Sequence, residues 1–161
     1  MDLSLHDEFW FKVKITSAKS VYGVQCQIVY PSAILEAVQD EDGRVKTNEG
    51  TFLSANNVDS FLSARLENDE PGKIVLGYSK VGLAAASSGE GSLFDILFRC
   101  VGLGPGELRF EQAKIYDEAT KEQPSKWIAS QVQVIGINVV SADILPRSFE
   151  KRSIEATLNV A

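Results

Sequence analysis

The feature that most constrains the fold of this chain is a set of short runs in which apolar and polar residues alternate. In FWFKVKIT, at residues 9–16, every second side chain is large and apolar, beginning at Phe9. The same alternation recurs in VQCQIVY at 24–30, SLFDILFRC at 92–100 and QVQV at 131–134. A period of two residues is typical of a β-strand that buries one face. We therefore predict strands whose inward residues include Phe94, Ile96 and Phe98.

Turn signals rich in glycine and proline separate these runs. They are Pro31-Ser32, Asp42-Gly43, Pro71-Gly72, Gly89-Glu90-Gly91 and GLGPG at 102–106. Weaker strand candidates lie between them, in FLSARLE, KIVLGYS and LRFEQAKIY. No long segment before residue 140 has helical spacing. Many short strands joined by turns predict an all-β antiparallel sandwich over residues 1–140.

The C-terminal residues 141–161 break this pattern. Pro146 interrupts them, and their apolar residues fit neither the strand period nor the helix period. We interpret them as a linker or a docking segment. The same residues are also compatible with a short amphipathic helix from Ser148 to Leu158.

The charge distribution excludes some classes of partner. The chain has 161 residues and a net charge of −6, and the window 36–70 holds nine acidic and three basic residues. A nucleic-acid-binding protein needs a basic surface to release counterions, so we predict no nucleic-acid partner. No run approaches about 18 consecutive apolar residues, so we predict no membrane span. The first residues also lack the basic and apolar regions of a signal peptide.

Three stretches carry motifs of a known family. Residues 73–117 contain a Gly-x-Gly-x-Leu turn and an Ile-x-Phe strand, at Gly89, Gly91, Leu93, Ile96 and Phe98. Residues 11–38, FKVKITSAKSVYGVQCQIVYPSAILEAV, match the family's opening strands, although Pro31-Ser32 stands where the family has Asp-Pro. TFLSANN at 51–57 matches a Phe-Leu segment. From about residue 8 to 140 the chain resembles a cohesin domain of the non-cellulosomal type.

This resemblance implies a nine-stranded jelly-roll β-sandwich, an architecture shared with carbohydrate-binding modules. Cohesins are non-catalytic and cofactor-free, and they bind dockerins, small calcium-loaded helical modules, on one flat sheet face. We therefore expect a dockerin-like partner that carries the calcium, in an extracellular or cell-surface assembly. By position, the contact residues on the sheet that contains VQCQIVY would be Gln25, Gln27, Tyr78 and Lys80. Glutamines donate and accept hydrogen bonds, and tyrosines are frequent interface hot spots.

The resembled fold also bears on the two cysteines. It places Cys26 and Cys100 in opposite sheets, which pack about 10 Å apart. A disulfide needs Cα atoms within about 7 Å of each other. We therefore expect two free, buried thiols that behave as small apolar side chains.

An enzyme is the first alternative. The single histidine, His6, lies near the N-terminus, and no Gly-x-Ser-x-Gly, P-loop, His-Glu-x-x-His or Cys-x-x-Cys motif is present. A glycosidase-like pair of acids stays open, because 22 acidic residues offer many pairs. DEDG at 40–43 begins like a calcium loop but lacks the terminal glutamate, so we predict no metal site.

The second alternative is a module of the same jelly-roll fold with no dockerin partner, acting in carbohydrate binding, adhesion or scaffolding. A polysaccharide would be bound by exposed aromatic side chains. Trp10 and Trp127 are the candidates, and they lie far apart in the sequence. We therefore expect each tryptophan to cover an edge of the sandwich.

Overall fold

The structure, a computed structural model, describes residues 2–55, 58–67, 71–136 and 152–159. The strands are β1 (Asp2–Ser4), β2 (Glu8–Val21), β3 (Gly23–Val29), β4 (Leu35–Ala37), β5 (Thr47–Glu49), β6 (Ser60–Leu66), β7 (Lys73–Lys80), β8 (Ser87–Cys100), β9 (Gly104–Tyr116), β10 (Glu122–Gln123), β11 (Lys126–Trp127), β12 (Ser130–Ile135) and β13 (Arg152–Asn159). One short helix, α1 (Thr51–Ser54), lies between β5 and β6. The described residues thus form thirteen strand segments, five of which hold only two or three residues.

The strands form two sheets. Sheet I has the order β1-β12-β9-β3-β7-β6, with β10 also paired to β9. Sheet II has the order β11-β13-β2-β8-β4, with β5 also paired to β8. Most neighbours are antiparallel, and the parallel pairs among the described strands are β1 with β12 and β13 with β2. The predicted jelly-roll β-sandwich is confirmed.

The core consists of the alternate residues that the sequence marks as apolar. Every second residue of β2 from Phe9 to Ile15 is buried, and the apolar residues of β8 from Leu93 to Cys100 are buried as well. Phe9, Phe94 and Ile96 are fully inaccessible. Phe98 lies at the centre of an aromatic cluster, with its ring centroid 5.8 Å from that of Phe9 and 5.1 Å from that of Tyr30. The sandwich is therefore held by the side chains whose period predicted it.

One predicted turn is absent from the structure. Gly89-Glu90-Gly91 lies inside β8, which continues from Ser87 to Cys100. Gly89 has a φ of +102° and pairs with Ala18 where the β2–β8 register shifts. Its freedom to adopt a positive φ therefore serves a β-bulge in a long strand rather than a chain reversal.

The C-terminal strand corrects another expectation. β13 pairs in parallel with β2 over eight residues, from Arg152 opposite Phe9 to Asn159 opposite Thr16. Residues 152–158 therefore form a strand instead of the predicted helix, and they pair with sheet II. The interpretation of residues 141–161 as a linker or a docking segment stays a prediction. The pairing joins positions that are far apart in sequence, so local periodicity does not reveal it. Residues 141–151 lie outside the described residues, and the boundary at residue 140 stays a prediction.

Both cysteines are free and buried, as predicted. Cys26 lies in β3 of sheet I and Cys100 in β8 of sheet II. Burial raises the pKa of the Cys26 thiol from 9.0 to about 12. Burial, with a smaller contribution from the charge of Asp7, raises the pKa of Cys100 from 9.0 to about 11.

Candidate recognition surface

Four adjacent strands of sheet I, in the order β9-β3-β7-β6, form one broad outer face. The strand register aligns their outward residues in rows across the sheet. One row consists of Tyr116, Gly23, Ser79 and Phe61. The next row consists of Lys114, Gln25, Gly77 and Ser63. In both rows the residue contributed by β7 is small, so the middle of the face is low.

These rows form a trough with an aromatic side chain on each flank. Phe61 stands on β6 with 65% of its surface exposed, and half-buried Tyr116 stands on β9. Between them lies a hollow of about 440 Å³ whose lining includes Gly23, Gly77 and Ser79. A second hollow of about 310 Å³ continues it and shares Gln25, Ser63 and Gly77 with the first. We call this joined depression the trough.

Gly77 makes the trough deep at its centre. A Cβ atom added there would meet no other atom within 4 Å. Gly77 lies opposite Gln25 on β3 and Ser63 on β6, so short or uncharged side chains flank it on both sides. Any side chain larger than hydrogen at Gly77 would therefore project into the space above the sheet.

The two predicted glutamines lie on this face. Gln25 is exposed and Gln27 is half-buried, and both contribute to the lining of the trough. The Gln27 side-chain carbonyl, Oε1, is buried without a hydrogen-bond partner among the described residues. A buried acceptor of this kind is costly to leave unpaired.

The prediction that Tyr78 points outward is wrong. Tyr78 is 1% exposed, and its hydroxyl donates a hydrogen bond to the carbonyl of Gly50 at 3.2 Å. Burial raises the pKa of Tyr78, and a hydrogen bond with Ser60 opposes this rise. The even-numbered residues of β7, from Ile74 onward, all face inward. A shift of one residue exchanges the two faces of a strand, which accounts for the inverted prediction for Tyr78.

The prediction that Lys80 points outward is also wrong. It belongs to the inward set of β7 and is 4% exposed. Burial lowers the pKa of Lys80, and the nearby charge of Glu118 partly opposes this shift. Lys80 therefore does not lie on the outer face, although the sequence interpretation placed it there.

The structure supplies two residues that the sequence interpretation missed. Phe61 is an exposed aromatic side chain on the face to which Tyr78 was assigned, and Gly77 leaves open space beside it. The signal for Phe61 is present in FLSARLE, where Phe61, Ser63 and Arg65 alternate with Leu62 and Ala64. The sequence alone does not say which of the two alternating sets faces the core.

The outer face of sheet II has a different character. On β2 it carries Trp10 and Lys12, the bulky and charged residues predicted for it. Arg99 of β8 forms ion pairs with Glu8 at 2.7 Å and with Glu36 at 3.5 Å. Ionic contacts between its own residues thus occupy part of this face.

The two tryptophans have separate environments. Trp127 packs on Phe110 with ring centroids 4.9 Å apart, and its indole N–H donates to Ser125 Oγ at 2.9 Å. Trp10 instead lines an open cleft of about 700 Å³ between the turn at residues 40–46 and the edge strand β6. The expectation that a tryptophan covers a sandwich edge therefore fits Trp127, whereas Trp10 borders a cavity.

Metal-ligating clusters and membrane-spanning helices are two further features that bear on function. Within residues 2–55, 58–67, 71–136 and 152–159, no group of three or more metal-ligating side chains lies together. The same residues contain no helix long and apolar enough to cross a membrane.

Comparison with known proteins relates this architecture to one family. No protein-family model and no curated protein matches the sequence. Among solved structures, a non-cellulosomal cohesin from the archaeon Archaeoglobus fulgidus is 17% identical, with a TM-score of 0.57 over 99% of this chain and 86% of that one. The chain has the cohesin fold.

Two further cohesins show the same likeness. The seventh type I cohesin of ScaB from Pseudobacteroides cellulosolvens is 13% identical, with a TM-score of 0.66 over 89% of this chain and 93% of that one. The sixth cohesin of scaffoldin B from Acetivibrio cellulolyticus, solved in complex with a Cel5 dockerin mutant, is also 13% identical, with a TM-score of 0.60 over 83% and 93%. The resemblance to cohesins predicted from sequence is therefore confirmed for the fold.

Proposed function

We propose that this cohesin-fold domain is a non-catalytic recognition module that binds a dockerin-like helical partner on the outer face of sheet I. The trough between Phe61 and Tyr116 is the observation that carries this proposal. The likeness to a cohesin solved with a dockerin supports it. Cohesins of scaffoldins are among the similar structures, so we place the assembly outside the cell or at its surface.

The dimensions of the trough suit a helix. Phe61 on β6 and Tyr116 on β9 are separated by three strand spacings, or about 14 Å. An α-helix with its side chains has a diameter of about 10–12 Å. A helix lying along the strands would thus rest on Gly77 and Ser79 and contact an aromatic side chain on each side.

The chemistry of the trough suits a protein surface. Phe61 supplies apolar area that is costly to leave in water, and Gln25 and Ser63 offer donors and acceptors beside it. Aromatic anchors surrounded by polar groups are typical of the residues that dominate binding energy at protein interfaces.

The thiols support a non-catalytic role. Cys26 and Cys100 are the strongest nucleophiles by residue type, and their pKa values, raised to about 12 and about 11, keep them protonated at neutral pH. His6 is exposed at a turn beside β1 and has a positive φ of 71°. These groups are thus poorly placed for nucleophilic catalysis.

The test is a binding panel. The purified chain is titrated calorimetrically with each dockerin encoded in the same genome, with calcium and with a chelator. We expect at least one dockerin to bind, and we expect the chelator to abolish binding, because we assign the calcium to the partner. If no dockerin binds, a scaffold or adhesion module without a dockerin partner replaces this proposal.

A matched pair of variants locates the site. Gly77→Trp fills the trough at a position with space for a side chain, so it should abolish binding and leave the fold intact. Lys12→Trp adds the same side chain to the outer face of sheet II and should bind as the wild type does. The reverse result would move the site to sheet II.

Polysaccharide binding is a second candidate, favoured by one observation. Trp10 borders a cleft whose lining also contains Asp40, Arg44 and Asn48. An aromatic ring with polar groups around it suits a sugar ring, which has apolar faces and hydroxyl edges. Titration with cellulose, xylan and chitin, followed by tryptophan fluorescence, tests it. A response that Trp10→Phe removes would support it, and no response would exclude these three polymers.

A further inference from the structure

The charge of the recognition surface is opposite to that of the chain. The whole chain has a net charge of −6. The outward residues of β6, β7, β3 and β9, with Glu67 just after β6, instead include four bases and three acids. They are Arg65, Lys73, Arg109, Lys114, Glu67, Glu107 and Glu111. The acidic surplus therefore lies elsewhere on the molecule.

The acids on this face are already engaged. Glu67 lies 3.7 Å from Lys73, and Arg109 lies 3.8 Å from Glu107 and 3.9 Å from Glu111. These contacts are long and partly exposed, so each contributes little to stability. They nevertheless place every acid of the face beside a base.

Two cations remain. Within the part of the chain that the structure describes, Arg65 and Lys114 form no ion pair and no side-chain hydrogen bond. Arg65 is exposed and Lys114 is half-buried. Both are therefore available to a group outside this chain.

Their positions bracket the trough. Lys114 lies on β9 in the row of Gln25 and Gly77, and Arg65 lies on β6 one row further along, opposite Val75. The two residues are thus about 14 Å apart across the strands and about 7 Å apart along them. One cation stands on each flank of the space that a helix would fill.

We propose that the helix bound in the trough carries an acidic side chain on each flank, one facing Arg65 and the other facing Lys114. This inference rests on the proposed function and names the chemistry of its partner. Five residues along an α-helix give a rise of about 7.5 Å and a rotation of about 140°. Two acids about five residues apart therefore match the offset of the two cations.

The same arrangement selects among partners. Docking removes water from Arg65 and Lys114, and a partner without acids leaves these charges unpaired. A partner with lysines at the same positions places like charges together, which is more unfavourable still. Partner choice would thus depend on two positions of the bound helix.

The experiment uses two synthetic alanine-rich helical peptides of about 18 residues, long enough to form helix in water. They share one leucine stripe and differ at two positions five residues apart, where one carries Glu and the other Lys. Binding is measured by fluorescence anisotropy at about 0.01 M and 1 M salt, between which the screening length falls from about 30 Å to 3 Å. We expect the Glu peptide to bind about tenfold more tightly at low salt, which corresponds to about 1.4 kcal/mol, and the difference to vanish at high salt.

Charge variants assign the effect to the two cations. In Arg65→Glu with Lys114→Glu, the preference should reverse in favour of the Lys peptide. The matched control, Lys12→Glu with Lys19→Glu, changes the net charge equally outside the trough and should keep the original preference. Equal affinity of the two peptides, absence of binding by both, or reversal in the control overturns the inference. A dockerin that binds the Arg65→Glu, Lys114→Glu variant as it binds the wild type would retain the proposed function and overturn only this inference.

Discussion

The two outer faces of the sandwich differ in the side chains that they expose. On sheet II, Arg99 is held by Glu8 and Glu36. On sheet I, Phe61 is largely exposed and the trough beside it is empty of side chains. Both faces consist of β-strands with the same pleat, so the strand geometry does not cause the difference. A recognition surface is distinguished by apolar area that the chain itself leaves exposed.

The side chains at the centre of each face also determine why the outer face of sheet I is flat enough for a helix. Sheet II carries Trp10 and Lys12 on consecutive outward positions of β2, and both are bulky. Sheet I carries Gly77 and Ser79 on consecutive outward positions of β7. A partner can approach the backbone closely only over the second pair. The identity of a few central side chains thus separates the two faces.

The largest expected effect tests the orientation of β7, on which the description of sheet I depends. Tyr78→Ala should lower the free energy of unfolding by about 3–5 kcal/mol, because it removes a fully buried aromatic ring. Tyr78→Phe should cost about 1 kcal/mol, since it keeps the ring and removes only the hydroxyl, which donates to the carbonyl of Gly50. Urea unfolding measures both. A stable Tyr78→Ala variant that has lost partner binding would instead restore the outward orientation.

The next effect concerns Phe61 and sharpens the contrast between the faces. Phe61→Ala should weaken partner binding by about 2 kcal/mol, the usual scale for an interface hot spot. It should change stability little, because 65% of the side chain is exposed. Trp10→Ala on sheet II serves as the matched aromatic control, and calorimetry should show unchanged affinity for a dockerin. Equal losses in the two variants would remove the distinction between the faces.

A third effect concerns the thiols between the sheets. Below pH 9 both thiols are protonated in the folded and unfolded states, so their protonation does not alter stability. Above pH 9 the unfolded chain loses these protons, whereas the folded pKa values of about 12 for Cys26 and about 11 for Cys100 retain them. The free energy of unfolding should therefore fall by about 1.4 kcal/mol per pH unit for each thiol as the pH rises.

The measurement is urea unfolding at several pH values between neutrality and about pH 10.5, since unperturbed tyrosine also titrates near pH 10. The Cys26→Ala variant provides the reference, because it keeps every tyrosine and removes one thiol. Its stability should fall less steeply with pH than that of the wild type. Equal slopes in the two proteins would show that Cys26 is not protected in the folded state.

The smallest effect lies on sheet II. Arg99→Ala should lower the free energy of unfolding by less than about 1 kcal/mol, because its ion pairs with Glu8 and Glu36 are partly exposed and screened by solvent. Thermal unfolding at low and high salt measures this, and added salt should reduce the difference further. Any loss of dockerin binding in this variant would contradict the assignment of the site to sheet I.

The sequence by itself determined the sandwich and most of its core. The alternation in β2, β3 and β8 predicts which residues are buried together, and Phe9, Ile28 and Phe98 are all fully buried. The family resemblance predicted the jelly-roll arrangement, and the placement of Gln25 and Gln27 on an outer face followed from β3 alone. These predictions succeed because a strand with large apolar residues on only one side has one favourable orientation.

Tertiary structure decided the rest. In β7, Val75 lies in the outward set and Lys80 in the inward set, so local hydrophobicity does not identify the buried face. The pairing with β3 and β6 fixes it, and that pairing turns Tyr78 inward and Gly77 outward. The parallel pairing of β13 with β2 likewise joins residues at opposite ends of the chain. Periodicity states which residues share a face, whereas the burial of that face depends on what the rest of the chain packs against it.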